Sequence, residues 1–193
     1  MTELWCWRHP RCEGARGRCI GRTDVAVDRR RAKRLAHRIH TAARRAGLPR
    51  TVHSSPLARC AAVARVLRRW GWRVVLDARW SELDFGRWEG QSWTAIDPAE
   101  VAAWEADFLH HAPGGGESLA SMRARVSEAV TAHASNSQPL LLIAHAGVMQ
   151  LLALWAVAAQ EAPSASTWPP AQPHGRLRRF ALQAPSSTGD PHA

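Results

Sequence analysis

The chain has 193 residues, 46% of them hydrophobic, enough to bury one core and fold as a single domain expected over 1–183. No run of about 18 apolar residues is available to span a bilayer, and charged residues come too early for a signal peptide's apolar region, so a cytoplasmic protein with no membrane partner is expected. The net charge of +10 invites a nucleic-acid surface, but no aromatics interleave with Arg29, Arg30, Arg31, Lys33, Arg34, Arg38, Arg44, Arg45 and Arg50 as base stacking would need, and a solvated helix face without a nucleic-acid partner is expected instead.

Leu4 to Trp7 is short, apolar and without helical period, which predicts a buried strand, and the glycines Gly14, Gly17 and Gly21 predict a loop behind it. Arg8 and His9 then stand at the strand's C-terminal end. Asp28 is placed to cap a helix through about Ala46, with Leu35 and Ile39 on one face and Gly47 and Pro49 as stop signals. A strand from Thr51 to His53 follows. Ser54 or Ser55 is then placed to cap a helix whose first turn holds Pro56 and which Gly71 ends. "WRVVL" is the third strand, and this alternation predicts a mostly parallel sheet with helices on its faces.

From Asp77 to Gly116 the pattern is irregular, with Pro98 opening a short helix that carries Val101, Trp104 and Phe108, so an inserted cap over about 86–116 is expected. Ser118 can cap a helix to about Ala134, and "PLLLIAHAG" predicts a buried strand ending on His145 with Gly147 opening an apolar helix. A Pro- and Ser-rich loop spans Glu161 to Gly175, "RLRRFAL" alternates as an edge strand would, and the tail 184–193 is expected to be disordered.

Arg8, His9 and His145 follow apolar strands, Arg59 lies in the first turns after the second strand, and Glu82 comes just after the third. In open α/β sheets the crevice at the strands' carboxyl ends binds ligands. Each residue alone has a bland reading, as a structural histidine or a solvated arginine; the joint recurrence at successive strand ends does not. Two guanidinium groups can hold phosphate oxygens bidentately, a neutral imidazole can attack phosphorus, and a carboxyl group can protonate the leaving alkoxide.

"WRHP", "SSPLARC", "ELDFGRWEG", "GGGES" and "IAHAGV" stand in an order and spacing that resemble the histidine phosphatase superfamily, the phosphoglycerate-mutase-like fold, over about Leu4 to Ala159. The resemblance implies a three-layer αβα sandwich, a phosphohistidine at His9, phosphate contacts from Arg8, Gly21, Arg59 and His145, Glu82 as proton donor, a small phosphorylated substrate, and no metal or other cofactor. A homodimer is left open. Leu83 and Asp84 after Glu82 resemble the phosphatase branch, since mutases usually carry an Arg directly after that Glu. "RHP" followed by "GRCIGRTD" further resembles the α-ribazole-5'-phosphate phosphatases of cobalamin synthesis, with Ile20 where a Tyr is usual. "HAG" stands where His-Gly-Gly is common, and Gln150 where an Arg is frequent. The expected activity is hydrolysis of α-ribazole 5'-phosphate; a broad sugar or nucleotide phosphatase and a non-catalytic basic binding module are the alternatives.

Cys6, Cys12, Cys19 and Cys60 lack paired C-x-x-C spacing and are expected as reduced thiols. His37 and His40 have no evident third ligand, and His9, Cys12 and Cys19 match no zinc spacing. Trp5 and Trp7 are expected in the core, while Trp88, Trp93 and Trp104 are placed to stack on a substrate's heterocycle.

Overall fold

Side chains of a strand point alternately to its two faces, and β1 (Thr2–Arg8) uses that alternation to serve two cores. Leu4 and Cys6 pack into one core, Trp5 and Trp7 into the other, and all four are buried. The computed structural model describes residues 2–133, 138–157 and 162–182. In it β4 (Leu140–Ala144) repeats the division, with Leu140, Leu142 and Ala144 on the first side and Leu141 and Ile143 on the second. Helices α1 (Arg29–Arg45) and α2 (Ala58–Arg69) cover the Trp5/Trp7 face, while α4 (Leu119–Thr131) and α5 (Ala146–Ala156) cover the other. The expected three-layer α/β sandwich is therefore present.

Among the described residues one sheet runs β3-β2-β4-β1-β5, where β2 is Thr51–Ser54, β3 is Arg73–Leu76 and β5 is Leu177–Leu182. β5 lies antiparallel against β1 at one edge, and the other pairings are parallel. β1 continues into α1 on one face and its neighbour β4 into α5 on the other, so a crevice opens between their C-terminal ends. The register pairs Arg8 with Ala144, which sets His9 and His145 side by side at that opening.

Local signals fix most helix boundaries. The Asp28 carboxylate accepts from the Arg31 N–H at 2.9 Å, and Ala32, Leu35, Ala36, Ile39 and Ala43 form the buried stripe of α1. Burying Leu35 and Ile39 contributes about 1.5–3 kcal/mol each. Ser118 caps α4, and Asp97 caps α3 (Pro98–Ala106).

The start of α2 departs from expectation. Its N-cap is Leu57; Ser54 belongs to β2, and Pro56 precedes the helix. The Ser55 hydroxyl is engaged by His145, and the Ala58 N–H is capped at 2.7 Å by Asp24, which comes from the loop behind β1. A cap supplied from a distant loop leaves no mark in the local sequence. Smaller shifts put Trp72 before β3 and Ala146 at the head of α5. α4 ends at Thr131 with Ala132 as its C-cap, short of the expected Ala134, and the tail 184–193 lies outside the described residues.

Between β3 and α4 the chain makes short 3-10 turns and α3, and Trp88, Ile96 and Cys19 form a small core of their own beneath it. Gly114, at φ 60°, lies so close to the Phe85 carbonyl that a Cβ there would overlap it. This contact brings the Glu117 N–H to the Asp84 carbonyl at 2.8 Å and fixes the segment carrying Glu82. Among the described residues no helix is long and apolar enough to cross a membrane.

Candidate active site

His9 leaves β1 with its backbone N–H still on the Ala144 carbonyl of β4, at 3.0 Å. Its Nδ1 lies 2.7 Å from the Pro10 carbonyl oxygen. A carbonyl can only accept, so the proton sits on Nδ1 and the lone pair on Nε2. Burial first, and then the Arg59 charge, hold the His9 pKa well below the usual 6.5. The side chain is therefore a neutral imidazole with Nε2 available, on the wall of the crevice.

Arg59 is almost wholly buried although it carries a full charge. Its Nε donates to His145 Nδ1 at 3.1 Å, and its terminal nitrogens donate to the carbonyls of Thr23 at 2.9 Å and Gly21 at 2.5 Å. Of five N–H donors these bonds use three, leaving two for an anion. His145 must accept from Arg59 on Nδ1, so its proton is on Nε2, which donates to the Ser55 hydroxyl at 2.8 Å. Burial and then Arg59 also hold His145 well below 6.5. The rings of His9 and His145 lie 5.2 Å apart, but His145 is fully buried behind Arg59 and does not line the cavity.

Arg8 is tied to the loop before β5: one terminal nitrogen donates to the Gln172 carbonyl at 2.6 Å, while its buried Nε finds no partner. Glu82 is buried opposite, and both its oxygens accept from the Gly147 N–H at the start of α5, at 3.2 Å. A carboxyl group at a helix N-terminus is favourably placed.

Arg8, His9, Arg59 and Glu82, without His145, share a cavity of about 860 Å³, far larger than a phosphate requires. Arg8, His9, Arg59 and Glu82 line one end, and Phe85, Trp93, Trp104, Phe108 and Trp168 form an aromatic wall. Trp88, expected with the stacking tryptophans, is instead buried beneath them with its indole N–H on Glu100 at 2.6 Å.

Residues 4–181 match the histidine phosphatase superfamily, branch 1. The chain belongs to this superfamily. No curated protein matches it. Among solved structures it is similar to mycobacterial glucosyl-3-phosphoglycerate phosphatase in complex with VO3, at 25% identity and a TM-score of 0.75 over 94% of this chain and 93% of that one. It is also similar to TTHB049 from Thermus thermophilus, at 27% identity and a TM-score of 0.69 over 92% of each chain.

Within this superfamily member, the geometry brings Arg8, His9, Arg59 and Glu82 to one cavity end and sets His145 behind them. Gly21 is placed differently from expectation. Its carbonyl accepts from Arg59, and its N–H, the one backbone group that could donate to phosphate, donates to Glu89 at 3.1 Å instead. A Cβ at Gly21 would overlap the Leu83 carbonyl, and this closeness is what the glycine supplies.

Sequence reasoning missed the carboxylates that brace the site. Glu89 accepts from the N–H groups of Gly21, Arg22, Thr23 and Phe85 and from the Thr23 hydroxyl. Burial opposes its charge, but those bonds outweigh burial and hold its pKa below the usual 4.5. Arg125 forms a two-pronged pair with Glu117, at 2.7 and 2.8 Å, and donates to the carbonyls of Arg79, Ser81 and Glu82. Both acids sit inside the quoted motifs "ELDFGRWEG" and "GGGES", the only signal that could have found them. His174, on the loop before β5, carried no local signal.

Proposed function

We propose that the protein is a phosphomonoesterase acting through a phosphohistidine at His9, in one domain spanning about 1–183 whose segment 86–116 caps the substrate. The observation that carries this reading is the His9 tautomer: Nδ1 is held by a carbonyl, so the Nε2 lone pair belongs to a cavity wall shared with two guanidinium groups and a carboxyl group. Nε2 attacks phosphorus while the P–O bond to the leaving group breaks, and Glu82 gives its proton to the departing oxygen. Glu82 then takes a proton from water, whose oxygen attacks phosphorus as the P–Nε2 bond breaks. Arg8 and Arg59 meet the charge on the equatorial oxygens, so no metal enters the scheme. His145 positions Arg59, and reaches a phosphoryl oxygen itself only by exchanging the Ser55 hydroxyl for it.

The finer reading is α-ribazole 5'-phosphate as substrate. It is supported by the resemblance in "RHP" and "GRCIGRTD" and by an aromatic wall suited to a flat ring. Ile20 lines the cavity and supplies an apolar contact where a Tyr is usual. A second reading, a phosphatase for anionic sugar phosphates, is favoured by Arg11, Arg16 and Arg18 on the same cavity and by the similarity to a glucosyl-3-phosphoglycerate phosphatase. A panel containing α-ribazole 5'-phosphate, ribose 5-phosphate, 3-phosphoglycerate and p-nitrophenyl phosphate separates them. The first reading expects the highest kcat/KM on the ring-bearing ester. Equal efficiency on ribose 5-phosphate sinks it in favour of broad specificity, and no turnover of any ester, p-nitrophenyl phosphate included, sinks the phosphatase reading.

A further inference from the structure

The loop before β5 does more than cross the open end of the sheet. Its Gly175 N–H lies 2.9 Å from the Arg8 carbonyl and 3.2 Å from that of His9, and its Gln172 carbonyl receives the Arg8 guanidinium. Gln150 of α5 holds the same loop from the other side, donating to the Pro169 carbonyl at 2.5 Å. This bracing sets His174 on the cavity wall with its ring centroid 5.1 Å from that of His9. His174 Nδ1 lies 3.3 Å from the His9 carbonyl, an acceptor, so that nitrogen carries a proton. Nε2 is left as the ring nitrogen with no protein partner among the described residues.

We propose that His174 is a further phosphate ligand of this site, donating from Nε2 to a phosphoryl oxygen of the bound monoester, an assignment that rests on the phosphatase reading above. Since Nδ1–H is already committed to the His9 carbonyl, donation from Nε2 requires the imidazolium, and phosphate binding must bring a proton with it. The groups that face the ring explain why the proton arrives only then. Arg8 and His9 come from the end of β1, Arg11 from the loop behind it and Arg59 from α2. Burial first, then Arg8, with Arg11 and Arg59 adding to them against the His9 carbonyl, hold the ring's pKa at about 4. A dianion seated on Arg8 and Arg59 reverses that field, and an opposite charge at contact distance raises a histidine pKa. The charge-assisted bond then completes the ring of donors around the phosphoryl group.

Tungstate, a phosphate-shaped dianion at neutral pH, tests this by calorimetry in buffers of different ionisation heat. His174→Asn keeps an amide N–H in place of Nδ1 but removes Nε2; His174→Gln offers an uncharged N–H near the Nε2 position. The unsubstituted protein is expected to take up a proton as tungstate binds at neutral pH. His174→Asn should bind on the order of tenfold more weakly and take up about one proton fewer. His174→Gln should regain most of the affinity without regaining the proton, an outcome that a merely structural role for His174 would not produce. Thermal midpoints of both variants check that the loop still closes the fold. Affinity and proton uptake unchanged in His174→Asn overturn the assignment and leave the phosphatase reading intact, because p-nitrophenyl phosphate turnover reports on His9 separately. Absence of both tungstate binding and turnover in the unsubstituted protein overturns the two together.

Discussion

Arg59 donates from Nε to His145 Nδ1 at 3.1 Å, and this one bond fixes the orientation of both side chains at the floor of the site. The guanidinium satisfies His145, Thr23 and Gly21 at once, a fork that an ammonium cannot reproduce. Arg59→Lys should therefore lose stability by about 1–3 kcal/mol through unpaired buried acceptors. It should also lose kcat/KM on the order of a hundredfold or more, as for removal of one oxyanion donor. Urea unfolding and steady-state kinetics check both figures. A variant with unchanged stability would mean that the three acceptors find other partners.

His9→Ala should abolish formation of an acid-labile, base-stable phosphoprotein under rapid quench, while tungstate still binds through Arg8 and Arg59. A stable label surviving in the variant would move the nucleophile elsewhere.

Gly147 sets the position of the proposed acid. A Cβ there would overlap Glu82 Oε1, the end of a side chain that can move, while Ala is otherwise better than Gly in a helix by about 1 kcal/mol. Gly147→Ala should leave the thermal midpoint unchanged or higher yet lower kcat on alkyl phosphates more than on p-nitrophenyl phosphate, whose leaving group needs little protonation. Glu82→Gln should show the same selectivity more strongly. Equal losses on both substrates, with phosphorylation limiting each rate, would remove Glu82 from the acid's role.

Acid should destabilise the fold well before the carboxylates as a class titrate. His9, His53, His145 and His174 all have pKa values lowered from 6.5 by burial, His53 and His174 to about 4. Below 6.5 the unfolded chain takes up protons at these rings that the folded chain refuses, so stability falls as pH drops from 6.5 towards about 4. Glu89, held below 4.5, extends the loss to lower pH, since its contribution vanishes as the folded carboxylate is protonated. Thermal midpoints measured across that range should decline steadily with acidification; a flat profile would show that the rings are free to ionise in the native state.

Trp104 stands in the aromatic wall against Phe85 and Phe108, with ring centroids 6.0 and 5.1 Å away. Trp104→Ala should raise KM for α-ribazole 5'-phosphate about tenfold and change that for ribose 5-phosphate little, as expected for a stacking contact of roughly 1–1.5 kcal/mol. Equal changes on both esters would mean that the wall shapes the phosphate end rather than reading a ring.

The sheet, and the meeting of Arg8, His9, Arg59 and Glu82 at one cavity end, were legible because each is a local event: an apolar run that stops, then a charged or imidazole side chain. Asp28 and Ser118 capped their helices as placed because a cap acts three residues away. What escaped was long-range. Asp24 caps α2 across 34 residues, Arg125 reaches back 43 residues to the Glu82 carbonyl, and His174 meets His9 across 165. Gly21 was read as a phosphate contact when its backbone bonds support Arg59 and Glu89 instead, a distinction that depends on where two other segments lie. The Ser54 or Ser55 cap failed because α2 starts later, at Ala58: the Ser55 hydroxyl accepts the Leu57 N–H at 3.3 Å ahead of the helix, and the cap proper comes from Asp24.

Among the described strands β1 is the first made and lies between the last two, β4 and β5. During synthesis its two hydrogen-bonding edges and the tryptophans between them stay unpartnered until Leu140 and then Leu177 have left the ribosome. At ordinary elongation rates of about 5–20 residues per second, that is an interval of roughly 7 to 35 seconds. The nascent chain thus leaves β1 exposed for longer than the other described strands, and because the Gly175 loop that secures Arg8 precedes β5, the site forms only once that loop has emerged. Truncation before β5 should yield an aggregating chain, with the exposed β1 edge as its point of self-association.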